Sequence, residues 1–433
     1  MDLLEALRGQ AEQAEVYTIE GEATVVSFEA NTMKAAKVDE TRGIALRALV
    51  NGRLGFTAAS GAVAEEDLVA NLLASARYGE EVKLAFPGPA AGPEVATYDP
   101  SLAEVPLARL VEIGQEIVAT LRATDPNAHV NVDLEREIST TSLRNSAGAE
   151  VRARRSILSL GVSVERVRGD DVLIAYETLS DISLTEAYRQ AVERLAEKVR
   201  LASRVTTLRS GRMPVLFAPS GALVLLLPLM LALNGQHVQR GTSPLATRRG
   251  EHVLADTLTL WDDPTLPGRP ASGSHDGEGV PCARKPLIEG GICRGFLFDL
   301  RTAALAGAQS TGNGARGLFA PPTPAPSNLV LQPGETPLAR MLAGIQRGLL
   351  VEEVLGLGQG NPLSGAFSNP VGLGYLIERG EIVGRVKDVS ISGNIYQDLR
   401  QVAALSQESY WVRGQLKLPY ILLGELNVVC RER

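Results

Sequence analysis

The sequence is poor in the features that mark several large protein classes. It has three cysteines, Cys282, Cys293 and Cys430, none in C-x-x-C spacing, so neither a zinc knuckle nor a disulfide framework organises it. No Lys/Arg cluster is dense enough to neutralise a row of phosphates. The densest, Arg152-Ala-Arg154-Arg155, falls in alternating strand-like sequence and is read as the solvated face of a sheet. With a net charge of -7 and a pI near 5.4, nucleic acid is not an expected partner. G-x-S-x-G, H-E-x-x-H and Walker sequences are all missing, which removes the commonest hydrolase and nucleotide-binding signatures. Met1 to Arg8 is acidic and amphipathic, without the basic and apolar parts of a secretory leader, and a cytoplasmic location is expected.

What is present begins with a run of 21 residues, Met213 to Leu233, that carries no charge. A stretch of about 20 apolar residues is long enough to cross a bilayer. Pro214, Pro219 and Pro228 interrupt this one, and Ala218-Pro219-Ser220-Gly221 reads as a turn between a short strand, Val215 to Ala218, and a helix from Gly221 to Leu233. A helix apolar all round is buried all round, so the segment is expected in a core and no membrane is expected. At 433 residues, 45% hydrophobic and 21% charged, the chain is long enough for two or three domains.

The first half mixes helical and strand patterns. Helices are expected at Asp2 to Ala14, Glu65 to Arg77, Leu107 to Arg122 and Leu184 to Ala202 from apolar residues spaced three and four apart. Strands are expected at Val16 to Glu20, Thr24 to Glu29, His129 to Ser142, Glu150 to Arg168 and Asp171 to Thr178. Asn51-Gly52 between Gly43–Val50 and Arg53–Thr57 is a hairpin signal, because both residues tolerate the positive φ of a type I′ turn. After Arg212 the chain turns to short strands and Gly-rich turns, with helices only in the Gly221 segment, at Asp299 to Ala306 and at Pro337 to Val354. Strands and helices do not alternate strictly, which favours α+β over a doubly wound sheet. We expect an N-terminal α/β-type domain of antiparallel strands and helices, residues 1–208, and a C-terminal curved antiparallel sheet or partial barrel, residues 209–433.

Few segments offer chemistry. Gly312-Asn313-Gly314-Ala-Arg-Gly317 has G-x-G-x-x-G spacing, but no strand leads into it and the prolines from Pro321 to Pro326 prevent the helix that would hold a pyrophosphate. It is read as a tight passage with exposed amides that meets a peptide or another strand, and the proline run as an exposed extended loop. His275-Asp276-Gly-Glu278 puts three potential metal ligands in four residues. No fourth ligand stands at a recognisable spacing, and an acidic turn entering a Val280 strand is the plainer reading.

Several segments together resemble the TldD/PmbA family, known as modulators of DNA gyrase and as metallopeptidase subunits. They are Gly43-Ile-Ala-Leu-Arg-Ala-Leu-Val-Asn-Gly-Arg-Leu-Gly-Phe56, Asn145-Ser-Ala-Gly148, Gly241-Thr-Ser243, Asp276-Gly-Glu-Gly279, Ile288-Glu-Gly-Gly291, Ser310-Thr-Gly-Asn-Gly314, Gly348-Leu-Leu-Val351, Ile377-Glu-Arg-Gly-Glu-Ile382 and Ile391-Ser-Gly-Asn394. Each is weak alone; their order and spacing are specific. In the TldD branch the apolar segment carries H-E-x-x-x-H, with a cysteine near the C-terminus as third ligand. Alignment through Gly241-Thr-Ser243 puts Leu226 and Leu231 at the histidine positions and Leu227 at the glutamate. Leucine has no lone pair for a metal and no proton to exchange. Tyr410-Trp-Val-Arg-Gly-Gln415 lacks the cysteine, and Cys430 lies too far along to replace it.

The resemblance therefore implies a TldE/PmbA-like chain with a degenerate metallopeptidase domain, no catalytic residue, no metal and no cofactor. Its expected role is to enclose unfolded peptides beside a TldD-like subunit that cuts them, touching peptide through Gly312, Asn313, Gly314, Asp276 and Glu278. The alternatives are a homodimeric peptide-binding scaffold without hydrolytic activity, and an enzyme using His275, Asp276 and Glu278 on a metal.

Overall fold

The computed structural model describes residues 2–431. Its first half is built on six antiparallel strands: β1 (Gln13–Glu29), β2 (Thr32–Val50), β3 (Arg53–Ser60), β4 (His129–Asn145), β5 (Glu150–Arg168) and β6 (Asp171–Asp181), in the order β3-β2-β1-β4-β5-β6. Alternation decides which face is covered. Along β5 the side chains of Ser156, Leu158, Leu160, Val162, Val164 and Arg166 are buried, facing the helices Leu107–Thr124 and Ala187–Leu201, which bury Leu110, Ile113, Ile117 and Leu121, and Tyr188, Val192, Leu195 and Val199. The opposite, odd-numbered positions Val151, Ala153 and Arg155 are half-buried and open onto a cleft.

The β2–β3 hairpin closes through Asn51 (φ 50°) and Gly52 (φ 71°), the two positive φ values that the Asn-Gly pair signals. A Cβ on Gly52 would meet nothing within 4 Å, so Gly52→Ala carries only backbone strain. It is expected to cost about 1 kcal/mol in urea unfolding; no change would show that the turn relaxes.

In the second half, five strands close on themselves. Leu416–Cys430 pairs Gly211–Phe217, which pairs Arg347–Val354, then Ala366–Glu378, then Val389–Asn394, which returns to Leu416–Cys430. Leu260–Asp262, Lys285–Glu289 and Leu329–Leu331 extend the sheet from this barrel. The architecture is α+β, with an antiparallel half-barrel sheet and a closed barrel. One buried cluster crosses residue 208, joining Val132 and Leu195 to Leu350, Tyr375 and Ile377. We retain 1–208 and 209–433 as a proposed division, with a shared apolar interface.

Several elements differ from expectation. The first helix is Leu3–Leu7, capped by Asp2, not Asp2 to Ala14; the chain is already a strand by Gln13. Val16–Glu20 and Thr24–Glu29 are one strand. Pro337 to Val354 splits into a helix, Leu338–Ala343, and a strand, Arg347–Val354, parallel to Gly211–Phe217. That strand is buried from Gly348 onward on both faces, and such a run has no period to distinguish it from a helix. The strand Val402–Val412 was not anticipated.

The charge-free run does form a strand, a turn and the helix Leu223–Ala232, with Leu223, Val224, Leu225, Leu226, Pro228 and Leu229 buried. No helix among the described residues is long and apolar enough to cross a membrane.

Candidate functional site

A cleft of about 550 Å³ lies between the two halves. Its floor is the odd-numbered face of the first sheet: Tyr17 on β1, Glu137, Ser139 and Thr141 on β4, and Arg155 on β5. Its roof is loop backbone from the second half, chiefly Gly273–Gly277 and Gly312–Arg316.

Asp276 builds the roof. Its Oδ1 accepts the N–H groups of Glu278 and Val280, both at 2.9 Å, and its Oδ2 accepts that of Gly314 at 2.8 Å. Side-chain capture of its own following backbone is the ordinary use of Asp in a turn. Burial raises the Asp276 pKa, and the three N–H donors oppose that rise. The strand expected at Val280 is absent; only a single bridge joins His275 to Pro281.

The amides expected to be exposed at Gly312, Asn313 and Gly314 are not. All three residues are buried. The Gly314 N–H is spent on Asp276, Gly314–Ala315 pairs with Thr323–Pro324, and Asn313 Nδ2 donates to Asp262 Oδ2 at 2.7 Å. The proline run therefore closes the loop rather than extending freely. Gly312, Asn313, Gly314 and Asp276 do line the cleft; what they present is a tight backbone wall.

Glu278 does not line it. Its side chain is 0% exposed and ionically bonded to Arg47 Nη1, while Arg47 Nη2 donates to Glu15 Oε2 at 3.0 Å. Glu278 Oε2 accepts the Leu300 N–H at 2.6 Å. Glu15 Oε1 takes Arg316 Nη1 at 2.5 Å, and the Arg316 guanidinium lies over the Tyr17 ring at 4.4 Å. A Cβ on Gly314 would stand 2.5 Å from Glu278 Oε2, so only glycine fits there. Burial pushes the Glu278 carboxyl up to about 7 against the pull of Arg47. Burial also works against the Arg47 charge, but Glu15 and Glu278 outweigh it and the Arg47 pKa is raised. A peptide cannot touch Glu278: burial corrects that assignment to a structural one.

The three potential ligands do not converge. His275 Nδ1 meets Ser274 Oγ at 3.0 Å and Nε2 meets Ala90 O at 2.9 Å, Asp276 is occupied by backbone, and Glu278 by Arg47. Burial pushes the Cys282 thiol up to about 12, which leaves it without thiolate character. Among the described residues no three His, Cys, Asp or Glu side chains form a group that could hold a metal. At the positions that the family register assigns to a metal, Leu226 is 3% exposed and borders an apolar void of about 10 Å³ shared with Leu229, Leu254, Leu260, Ile288 and Ile421. Leu227 and Leu231 are half-buried. Tyr410 and Trp411 stack under Arg194 and Arg269. These residues do not fit a metal.

Sequence reasoning missed Glu15, Arg47, Arg316 and Arg155. Arg47 had a legible signal: a charge inside the apolar run Gly43–Val50, where its neighbours Leu46 and Ala48 are buried as well. The Arg152–Arg155 run is only in part a solvated face, since Arg152 and Arg154 are exposed while Arg155 turns into the cleft.

Models of the PmbA/TldA metallopeptidase domain 1, central domain and C-terminal domain match residues 14–76, 100–199 and 210–430. The chain belongs to this metallopeptidase family. An uncharacterized protein of Methanocaldococcus jannaschii is 26% identical over 98% of this chain and 100% of its own length. A metalloprotease TldD homolog of Haemophilus influenzae is 30% identical over 52% of this chain and 45% of its own. The crystal structure of TldE from Thermococcus kodakarensis superposes with a TM-score of 0.91 at 25% identity, covering 99% of both chains.

Proposed function

We propose that this chain is the TldE-like subunit of a two-component peptidase: it carries no metal of its own, associates with a TldD-like metallopeptidase subunit in the cytoplasm, and presents the cleft to peptide. The observation that carries this reading is Leu226, buried among leucines and isoleucines where a catalytic relative would place a histidine. A core leucine gains about 1.5–3 kcal/mol from burial and offers a metal nothing. The scaffold keeps the family architecture while this helix serves packing.

Peptide contact through Gly312, Asn313, Gly314 and Asp276 follows from their place in the cleft roof. Because their hydrogen-bonding groups are already paired, the wall would meet a peptide by packing rather than by adding a strand.

Co-expression with a TldD-like subunit is expected to give one complex on size exclusion, with peptidase activity that neither chain shows alone. Mass spectrometry of the purified single chain is expected to find no stoichiometric transition metal. A bound metal, or a stable self-dimer that binds peptides and ignores the TldD-like chain, would overturn the proposal.

A further inference from the structure

The arginines that are buried or half-buried at the core and the cleft fall into two groups. Arg47, Arg136, Arg166, Arg316 and Arg385 each pair with a carboxylate. Arg155 and Arg269 have no ion pair among the described residues, and of these two only Arg155 lines the cleft. Its Nη1 donates to Pro270 O at 2.8 Å and to Ser272 O at 3.0 Å. Those bonds fix the guanidinium plane against the roof. They supply no counter-charge; burial lowers the Arg155 pKa, and Tyr17, Cys282 and Glu137 oppose that fall without cancelling it.

The surroundings favour an anion. Arg316 also lines the cleft; its Nη1 is paired with Glu15, and its Nε and Nη2 are buried without a hydrogen-bond partner. Of the two acids lining it, Asp276 has its oxygens taken up by three backbone N–H groups. Glu137 stands opposite Ile157 in the β4–β5 register while Arg155 stands opposite Ser139, a diagonal placement of about 7–8 Å between backbones, and it makes no ion pair with Arg155. Arg155 is thus a cleft cation to which no carboxylate is bonded among the described residues.

We propose that the cleft is a carboxylate-recognition site in which Arg155 receives the carboxylate of an extended peptide. The proposal rests on the reading of the cleft as the peptide-contacting surface and adds its specificity. Arg155 is held at one nitrogen by the roof carbonyls and offers its remaining N–H groups as a fork, the geometry that matches a carboxylate's two oxygens. The roof backbone at Gly312–Gly314 then flanks the peptide without reading its side chains. The carboxylate can come from a peptide C-terminus or from an Asp or Glu side chain, and both present the same chemistry to the guanidinium.

The test is fluorescence anisotropy of the full-length chain with three N-terminally labelled hexapeptides of alanine and valine: a free acid, its C-terminal amide, and an amide with one internal glutamate. The free acid is expected to bind about tenfold or more tightly than the plain amide. The glutamate peptide distinguishes the sources: recovery of affinity assigns side-chain carboxylates as ligands too, and no recovery restricts the site to C-termini. Arg155→Ala should abolish the acid's advantage over the amide, and Arg155→Lys should restore part of it. Equal binding of acid and amide to the native chain overturns the carboxylate site and leaves the peptide cleft standing. Binding of none of the three peptides sinks both. The native comparison needs no variant, so it stands even if loss of the Pro270 and Ser272 bonds unfolds Arg155→Ala.

Discussion

Replacing Arg47 by methionine is expected to lower the free energy of unfolding by about 3–5 kcal/mol, the cost of removing one partner from a buried ionic cluster. Arg47 is 1% exposed, between Glu15 and Glu278 at 0%. It joins a strand of the first sheet to the Asp276 turn of the second half, with Phe86 packed 4.8 Å from its guanidinium. Methionine fills the volume, leaves Glu15 with Arg316 and strands Glu278 in a dry core without a cation. Glu278 must then keep a proton or suffer desolvation.

The sign of the pH response follows. In the variant the folded state would hold a proton that the unfolded state releases above the ordinary carboxyl range, so its stability should fall as pH rises from 5 to 8. Adding Glu278→Gln should recover part of the loss, because the stranded charge is gone and the amide oxygen can still accept the Leu300 N–H. Urea unfolding of the single and double variants checks both steps. A loss below about 1 kcal/mol would mean that water enters and solvates the acids, since solvated ion pairs are worth no more than this.

How much was legible depends on the range of the interaction. Local chemistry read well: Asn51-Gly52 gave the hairpin, the helix at Leu107 ends within two residues of its expected end, and β5 has the expected bounds. Periodicity failed where burial is two-sided. Arg347–Val354 is buried on both faces from Gly348 onward and carries no strand period, and Val402–Val412 does not alternate cleanly.

The candidate site shows the same limit more sharply. Asp276 and Gly312–Gly314 were visible as turn chemistry. The meaning of Glu278 was not, because its partner Arg47 lies 231 residues away and nothing local distinguishes an acid bound for a core from an acid bound for a ligand. Arg155 differs from Arg154 only by the parity of its position on β5, a distinction that requires the register of the sheet.

A second large effect is expected at Glu353, and there the native protein itself should lose stability as pH rises. Glu353 is 4% exposed, at irregular register in the strand Arg347–Val354, which turns two consecutive acids, Glu352 and Glu353, inward. Lys198 Nζ reaches Glu177 at 2.9 Å and Glu352 at 3.3 Å, and Arg194 adds a longer pair to Glu177 at 3.6 Å. Glu353 is left with the Tyr176 N–H at 3.3 Å. Burial pushes its carboxyl up to about 8 from an ordinary 4.5; Lys198 and the Tyr176 N–H oppose the rise, and Glu352 and Glu177 add to it.

Between those two values the folded chain holds a proton that the unfolded chain has released, so stability falls as pH rises through the window. At 1.36 kcal/mol per unit the loss from pH 5 to pH 8 is about 3 kcal/mol. Glu278, pushed the same way, adds to the native slope, so the slope alone assigns nothing. Glu353→Gln keeps the Tyr176 bond and has no proton to lose, and the difference between native and variant curves isolates Glu353. Urea unfolding at pH 5, 6, 7 and 8 should show the variant gaining on the native protein as pH increases. Parallel curves would mean that Glu353 is ionised in the fold and that Lys198 stabilises all three carboxylates at once.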